Sequence, residues 1–228
     1  MNTLKIVGLC LLVAAAANAQ TYTMLDVTGF LYESDNSAGI VGFPPSDPGD
    51  ILTGVGFVQS IGAELDWNLE IHQLTWLVSD LTSLGQSDLG NGLMLITYDG
   101  GTLDIVADAY TSPGYTIPAY GVEPPNATAP ATFSDGEVFL HGEFYSFLMV
   151  YDTFKKSGFY EGHLFFVGGT QLGSTAGSAE AYTVAGTVGP EHAPVPGGYD
   201  LETVGHITFD VELEPEYNTW GQVKALYR

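Results

Sequence analysis

The sequence has almost no cysteine. Cys10 is its single cysteine, and it lies in an apolar N-terminal stretch. One cysteine can form no internal disulfide, and it cannot supply the cluster of thiolates that a structural zinc site needs. We therefore expect the fold to be stabilised by its hydrophobic core.

Basic residues are also scarce. Lysine and arginine together number 5, against 27 aspartates and glutamates, which gives a formal net charge of −22. Such a surface repels the phosphates of nucleic acids and of anionic lipids, so we expect no nucleic-acid partner. Hydrophobic residues make up 45% of the chain, and the acids are scattered singly among them. This pattern favours a folded domain over a disordered acidic segment.

Long apolar runs are missing outside the N-terminus. Residues 6–17 form an apolar run of about 12 residues after Lys5, too short for a membrane-spanning helix of about 20. The run ends in Ala17-Asn18-Ala19 before Gln20, which is typical of a signal-peptide cleavage site. The sequence predicts a signal peptide over 1–19, no transmembrane segment after cleavage, and a secreted, extracellular or cell-surface location in a bacterial envelope.

The remaining chain has the two-residue alternation and turn chemistry of β-strands. Strands are predicted at 21–32, 54–61, 64–72 continuing to 78, 93–98, 103–110, 137–151, 159–168, 182–188 and 204–213. Loops are predicted at 80–92 and over the proline-rich segment 112–132. We expect one all-β domain over 20–216, an antiparallel β-sandwich of jelly-roll-like type.

The centre of this domain is predicted to be the hairpin Glu137–Gly169. Two strands rich in aromatic and aliphatic residues flank a polar turn at 152–158. Towards its end the first strand is apolar on both faces, with Leu148 on one and Phe147 on the other. This pattern predicts that both faces are buried there.

Candidate catalytic residues are few. Glu64 and Asp66 would lie roughly 7 Å apart along a strand, within the separation of about 5–9.5 Å that glycosidases use. They belong, however, to a regular polar face, which favours solvated side chains. His141 and His163 could be cross-strand neighbours with Glu143 nearby, but no third metal ligand is identifiable. No G-x-S-x-G motif occurs. We predict no catalytic residue.

Two further residue sets could bind ligands. Asp35, Asp47 and Asp50 lie in acidic loops and could coordinate calcium, although the sequence favours turn formation as their role. The three tryptophans could stack on sugar rings, but the apolar faces of their strands favour core positions for Trp67 and Trp76.

The C-terminal segment 217–228 differs from the rest and is predicted to form a short helix. Trp220, Val223 and Tyr227 fall on one side of such a helix, and Lys224 and Arg228 lie in its last turns, where cations favour the helix dipole. We expect a sorting or docking tail for a cell-envelope or matrix partner. The alternative is a tail that folds back onto the acidic domain.

Several segments together resemble those of secreted bacterial proteins of unassigned function, including the ectodomains of PEP-CTERM-type proteins. They are TWLVSDLTSLGQ, YDGGTLDI, PPNATAPATFSDGEVFLHGEF, FVGGTQL and GGYDLETVGHI. The Pro-Glu-Pro box, terminal membrane span and arginine cluster of that sorting signal are missing from this sequence. The resemblance implies no catalytic residue. The sequence therefore predicts a non-enzymatic structural or interaction protein, with a carbohydrate-binding module or a glycoside hydrolase-like enzyme as alternatives, and no cofactor except calcium.

Overall fold

A computed structural model describes residues 19–34, 43–63, 65, 67–70, 72–109, 133–175, 181–189, 195 and 198–212. The chain divides into two compact units. The larger runs from Thr23 to Phe209. The smaller consists of the chain ends, of which residues 19–22 and 210–212 are described; there the Thr21 hydroxyl donates a hydrogen bond of 2.5 Å to the Asp210 carboxylate.

The described residues form nine antiparallel strands and, at Leu172–Ser174, a 3₁₀ turn, and contain no α-helix. The strands are β1 Ala19–Glu33, β2 Ile51–Ile61, β3 His72–Gly90, β4 Leu93–Asp99, β5 Thr102–Ala109, β6 Glu137–Asp152, β7 Ser157–Gly168, β8 Tyr182–Gly189 and β9 Leu201–Glu212. The predicted all-β antiparallel class is confirmed. The helix predicted over 217–228 and the proline-rich segment 112–132 lie outside the described residues.

All nine strands belong to one sheet that closes on itself. Its order is β2-β1-β9-β8-β7-β6-β4-β3-β5, and additional pairings join β2 to β3 and β6 to β5. Strands β4 and β5 share one place in the sheet, since both pair with β3 and with β6. Opposite parts of the sheet therefore face each other across one core, as the layers of a sandwich do. The strands follow one another as a meander rather than in jelly-roll order.

The indole of Trp76 fills the middle of the core. It lies against Gly29, Gly54 and Gly56, where a Cβ atom would come within 2.8 Å or less of the indole ring. Its Nε1 donates a hydrogen bond of 3.0 Å to the carbonyl oxygen of Thr28. The glycines of β1 and β2 thus provide the space that a large side chain needs inside a narrow closed sheet.

The predicted central hairpin is confirmed as β6 and β7, but the burial predicted for the end of β6 is wrong. A β-bulge between Phe144 and Ser146 shifts the register, so the inward residues change from even to odd positions. Phe147 is buried, at 6% exposure, whereas Leu148 is half-buried. The apolar residues on both faces therefore reflect the change in which positions point inward. They do not mean that both faces are buried.

Two predictions around β3 are also wrong. The described residues between 62 and 70 form turns, not a strand, because Asn68 closes a local turn: its side chain accepts a hydrogen bond of 2.8 Å from the Glu70 N–H. Conversely, the predicted loop 80–92 largely continues β3 to Gly90. Asp80 and Gly85 adopt positive φ angles of 60° and 100°, which let the strand bend while it pairs with β4.

Candidate functional site

One carboxyl group ends an otherwise apolar row inside the closed sheet. Along β1, Val27, Leu31 and Glu33 are all buried and share the inward face. Glu33 is only 7% exposed and lies at the last position of the strand. A carboxyl at this depth requires hydrogen-bond partners, because an unpaired buried charge is costly.

Only part of the Glu33 carboxyl has such a partner. The Tyr98 hydroxyl donates a hydrogen bond of 2.5 Å to Oε2. The other oxygen, Oε1, is buried and accepts no hydrogen bond of good geometry from the described residues, although the Ser46 hydroxyl lies close enough to favour the carboxylate. Most buried polar atoms in proteins are satisfied, so an incompletely paired oxygen here requires an explanation, and a functional role is one.

The loop 43–50 closes this end of the sheet over Glu33. Ser46 is fully buried, and its hydroxyl lies 2.7 Å from that of Ser83 on β3. The loop is also fixed by main-chain bonds: Gly49 N–H donates to the Ser83 carbonyl at 2.9 Å, and Ser83 N–H donates to the Asp50 carbonyl at 2.8 Å. The cover is therefore hydrogen-bonded to the sheet and excludes bulk water from the carboxyl.

Burial changes the acidity of this cluster. Desolvation raises the pKa of Glu33 from its ordinary value of 4.5 to about 7, against the opposing effect of the Ser46 and Tyr98 hydroxyls, which favour the carboxylate. The nearby negative charges of Asp50 and Asp200 add to the rise. Burial also raises the pKa of Asp200.

A pocket of about 270 Å³ adjoins the cluster at Asp200. The Asp200 carboxylate accepts a hydrogen bond of 2.9 Å from the Glu33 N–H, and the same side chain lines the pocket. The other lining residues are Phe43, Pro44, Tyr151, Thr153, Lys156 and Leu201. The apolar interior of the sheet, by contrast, has only about 30 Å³ of open volume, room for about one water molecule. The end pocket is thus the larger of these two spaces.

This arrangement can transfer protons. A carboxyl group with a pKa near 7 populates both its acid and its base form at neutral pH, which suits general acid–base catalysis. The Tyr98 hydroxyl fixes the orientation of the carboxyl, and the apolar row behind it, which includes Leu31, keeps the dielectric constant low.

The histidines singled out in the sequence do not come together. His141 pairs with Asp104, with 2.6 Å between Nδ1 and the carboxylate, and its cross-strand neighbour is Gly168. His163 lies opposite Ser146, and its Nε2 is 3.1 Å from the Glu161 carboxylate. The predicted pairing of His141 with His163 is wrong, because the turn between Asp152 and Ser157 sets a register in which His163 falls opposite Ser146, five residues from His141 along β6.

Of the other predicted candidates, the structure describes Asp47 and Asp50. Asp47 and Asp50 form a turn, in which the Asp47 N–H donates 2.9 Å to the Asp50 carboxylate. In the part of the chain that the structure describes, no group of three or more His, Cys, Asp or Glu side chains could hold a metal ion. Asp35, Glu64 and Asp66 lie outside the described residues. So do the tail residues Trp220, Val223, Lys224, Tyr227 and Arg228.

The two described tryptophans, Trp67 and Trp76, serve packing. Trp76 is buried, and Trp67 is half-buried, with its ring 4.8 Å from that of Phe139 and 4.5 Å from that of His72.

The described residues contain no helix that is long and apolar enough to cross a membrane.

Sequence reasoning did not find Glu33, because the ESDNSAG sequence after Tyr32 has loop composition. One signal was present: Glu33 continues the inward alternation of Val27 and Leu31 by one step. A charged residue at an inward position was therefore visible, but the partner Tyr98 is 65 residues away and could not be paired with it.

No family model matches this chain, and no curated protein matches it. Among solved structures, a nonspecific heme-binding cyclase that catalyses a 4 + 2 cycloaddition during neoabyssomicin biosynthesis is similar, with a TM-score of 0.37 and 12% sequence identity. The likeness covers 95% of this chain and 80% of that chain. The resemblance to secreted bacterial proteins stays a prediction.

Two predictions from the sequence differ from what is described for this similar protein. The sequence predicts a non-enzymatic protein, and no cofactor except calcium, whereas the similar structure is an enzyme that binds haem. At this TM-score and identity, neither the haem nor the cycloaddition transfers to this chain. Its function has to be argued from its own residues.

Proposed function

We propose that this protein is an acid–base enzyme, in which Glu33 transfers a proton to or from a small molecule held at the closed end of the sheet. The observation that carries the proposal is the open Oε1 atom of Glu33, buried beside an oxygen that already accepts a hydrogen bond from Tyr98. The pKa of about 7 supports it, since both protonation states are populated at neutral pH.

The roles of the neighbouring groups follow from their contacts. Tyr98 orients the carboxyl and stabilises its ionised form. Asp200 holds the main chain of Glu33 and forms part of the pocket wall. The loop at Ser46 keeps bulk water away, because its hydroxyl is bonded to Ser83 and not to solvent. Glu33 is not among the residues that line the pocket, so the proposal requires a substrate to reach its carboxyl past Asp200.

A general probe of a buried base tests the proposal. In 5-nitrobenzisoxazole, a carboxylate removes the ring C–H proton, the C–H electron pair completes a nitrile, and the N–O bond breaks to release a coloured phenolate. We expect the wild-type protein to accelerate this reaction, with a rate that rises with pH through about 7 as Glu33 ionises. Glu33→Gln should lower the rate about 10-fold or more.

The matched control is Glu143→Gln, which removes an exposed carboxyl of β6 and should leave the rate unchanged. The pKa of Glu33 itself is measured by NMR with ¹³C-labelled glutamate. A rate equal in the wild type and Glu33→Gln, together with a titration of Glu33 near its ordinary value, would overturn the proposal.

Export of the chain and docking through its C-terminal tail remain separate proposals. They rest on the signal-peptide pattern of residues 1–19 and on the aromatic and basic residues of 217–228. Expression in a bacterial host, fractionation of the cells and N-terminal sequencing test the first: a processed chain beginning at Gln20 outside the cytoplasm is expected. Truncation after Glu216 tests the second through the distribution between cell-bound and released protein.

A further inference from the structure

The end pocket contains a cation, which is rare in this protein. Lys155 and Lys156 are the only lysine or arginine residues in the described part of the chain, and both lie in the turn between β6 and β7. Lys155 pairs with the Asp152 carboxylate at 3.3 Å. Lys156 lines the pocket instead. Of two adjacent lysines, one is thus neutralised at the surface and the other faces the pocket.

The turn fixes where Lys156 stands. Its N–H donates a hydrogen bond of 2.7 Å to the Asp152 carbonyl, and its φ angle is 56°. This left-handed conformation is one that glycine adopts without steric cost and lysine does not. The main chain is therefore defined at this position, and from it the side chain contributes to the pocket wall.

One side of the pocket wall is apolar. The ring of Phe43 packs edge-on against that of Tyr151, with centroids 5.3 Å apart, and Pro44 and Leu201 complete this side. A planar ring would bury apolar surface against it. A volume of about 270 Å³ lies just below the roughly 300–1,000 Å³ of pockets for drug-sized ligands, which indicates a ligand of one ring.

We propose that this pocket binds a small planar carboxylic acid, with the carboxylate at Lys156 and the ring against Phe43 and Pro44. The inference deepens the proposed function, on which it rests, by naming the substrate class of the same site.

The strongly negative net charge does not oppose this assignment. At physiological ionic strength charges are screened over about 8 Å, so a ligand inside the pocket responds to the nearest groups. The Asp200 carboxylate, which also lines the pocket, already accepts the Glu33 N–H. Lys156 is the cation among the lining residues, so an incoming carboxylate is attracted to that side of the pocket.

Binding of benzoate, followed by NMR chemical-shift changes, tests the inference without requiring turnover. Lys156→Gln should weaken benzoate binding about 10-fold, the effect of one charge-assisted hydrogen bond. Lys155→Gln, next to it in the sequence, should change it less than about twofold. Benzyl alcohol, which has the same ring and no charge, should bind the wild type and Lys156→Gln equally.

Equal weakening by the two lysine variants would show a diffuse charge effect and overturn the inference, as would no weakening by Lys156→Gln. A melting temperature for Lys156→Gln within a few degrees of that of the wild type confirms that the variant is folded. Glu33→Gln should still bind benzoate, so Lys156-dependent binding without proton transfer would reject the proposed function alone. Proton transfer without benzoate binding would reject only the substrate class.

Discussion

The hydroxyl of Tyr98 donates a hydrogen bond of 2.5 Å to one oxygen of the Glu33 carboxyl group, 65 residues away in the sequence. The second oxygen of that carboxyl is buried and accepts no hydrogen bond of good geometry from the described residues. The closed end of the sheet thus holds a polar group, the Glu33 carboxyl, next to apolar side chains, and only one of its two oxygens is well hydrogen-bonded. This environment makes Glu33 costly to ionise, and that cost can be measured.

The stability of the protein should depend on pH through Glu33. Below pH 4.5, the pKa of the Glu33 carboxyl in the unfolded state, this group is protonated in both the native and the unfolded state. It therefore contributes no pH dependence to stability there. Between 4.5 and about 7 the unfolded state releases the proton and the native state retains it, so stability falls as pH rises. Above 7 the loss is complete, at roughly 3 kcal/mol. Urea unfolding from pH 4 to 8 should show this fall in the wild type.

Glu33→Gln should remove that part of the pH dependence and be the more stable protein at pH 8. The comparison is made between the two proteins at each pH, because the other acids contribute equally to both. Parallel stability curves for the two proteins would show that Glu33 titrates normally in the native state.

Tyr98→Phe should raise the pKa of Glu33 further. The Tyr98 hydrogen bond favours the carboxylate and so lowers this pKa, against the larger effect of burial. Removing only the hydroxyl keeps the ring, whose centroid lies 5.6 Å from that of Phe147. NMR titration of ¹³C-labelled glutamate measures the change. A lower pKa in Tyr98→Phe would mean that water enters and solvates the carboxyl.

The parity change in β6 predicts unequal costs for two adjacent substitutions. Phe147→Ala should cost about 3–5 kcal/mol of unfolding free energy, because this ring is buried and stacks on that of Tyr160 at 5.6 Å. Leu148→Ala should cost less than about half of that, since its side chain is half-buried on the outer face. Denaturant unfolding of both variants checks the order. Equal losses would contradict the bulge.

The glycines that pack against Trp76 predict that a smaller side chain at position 76 will reduce the cost of adding a methyl group at position 54. A Cβ at position 54 would lie 2.8 Å from the Trp76 ring and 2.6 Å from Leu31, so Gly54→Ala should cost about 1–3 kcal/mol. In a Trp76→Phe background the same substitution should cost less, and a double-mutant cycle measures this coupling. Gly168→Ala is the control, because its Cβ would meet His141 at an ordinary 3.5 Å. A cycle without coupling would exclude the ring as the obstacle.

The sequence by itself determined the class of the fold. The alternation in β1 and β9 and the polar turn between β6 and β7 predict antiparallel strands, because side chains on a strand point to opposite faces in turn. It also determined the acidic surface and the lack of disulfides. These properties depend on composition and on neighbours along the chain, which the sequence displays directly.

Only the tertiary structure decided the closure of the sheet, the bulge in β6 and the cluster around Glu33. Closure depends on the pairing of β2 with β3 and on the sharing of β4 and β5 between two neighbours. The bulge shifts the register of β6 by one residue, which turns Phe147 toward the core. The apolar pattern on both faces does not reveal this shift. Glu33 acquires its pKa from burial and from Tyr98, groups that come together only after the chain has folded, because desolvation and hydrogen bonding act through space.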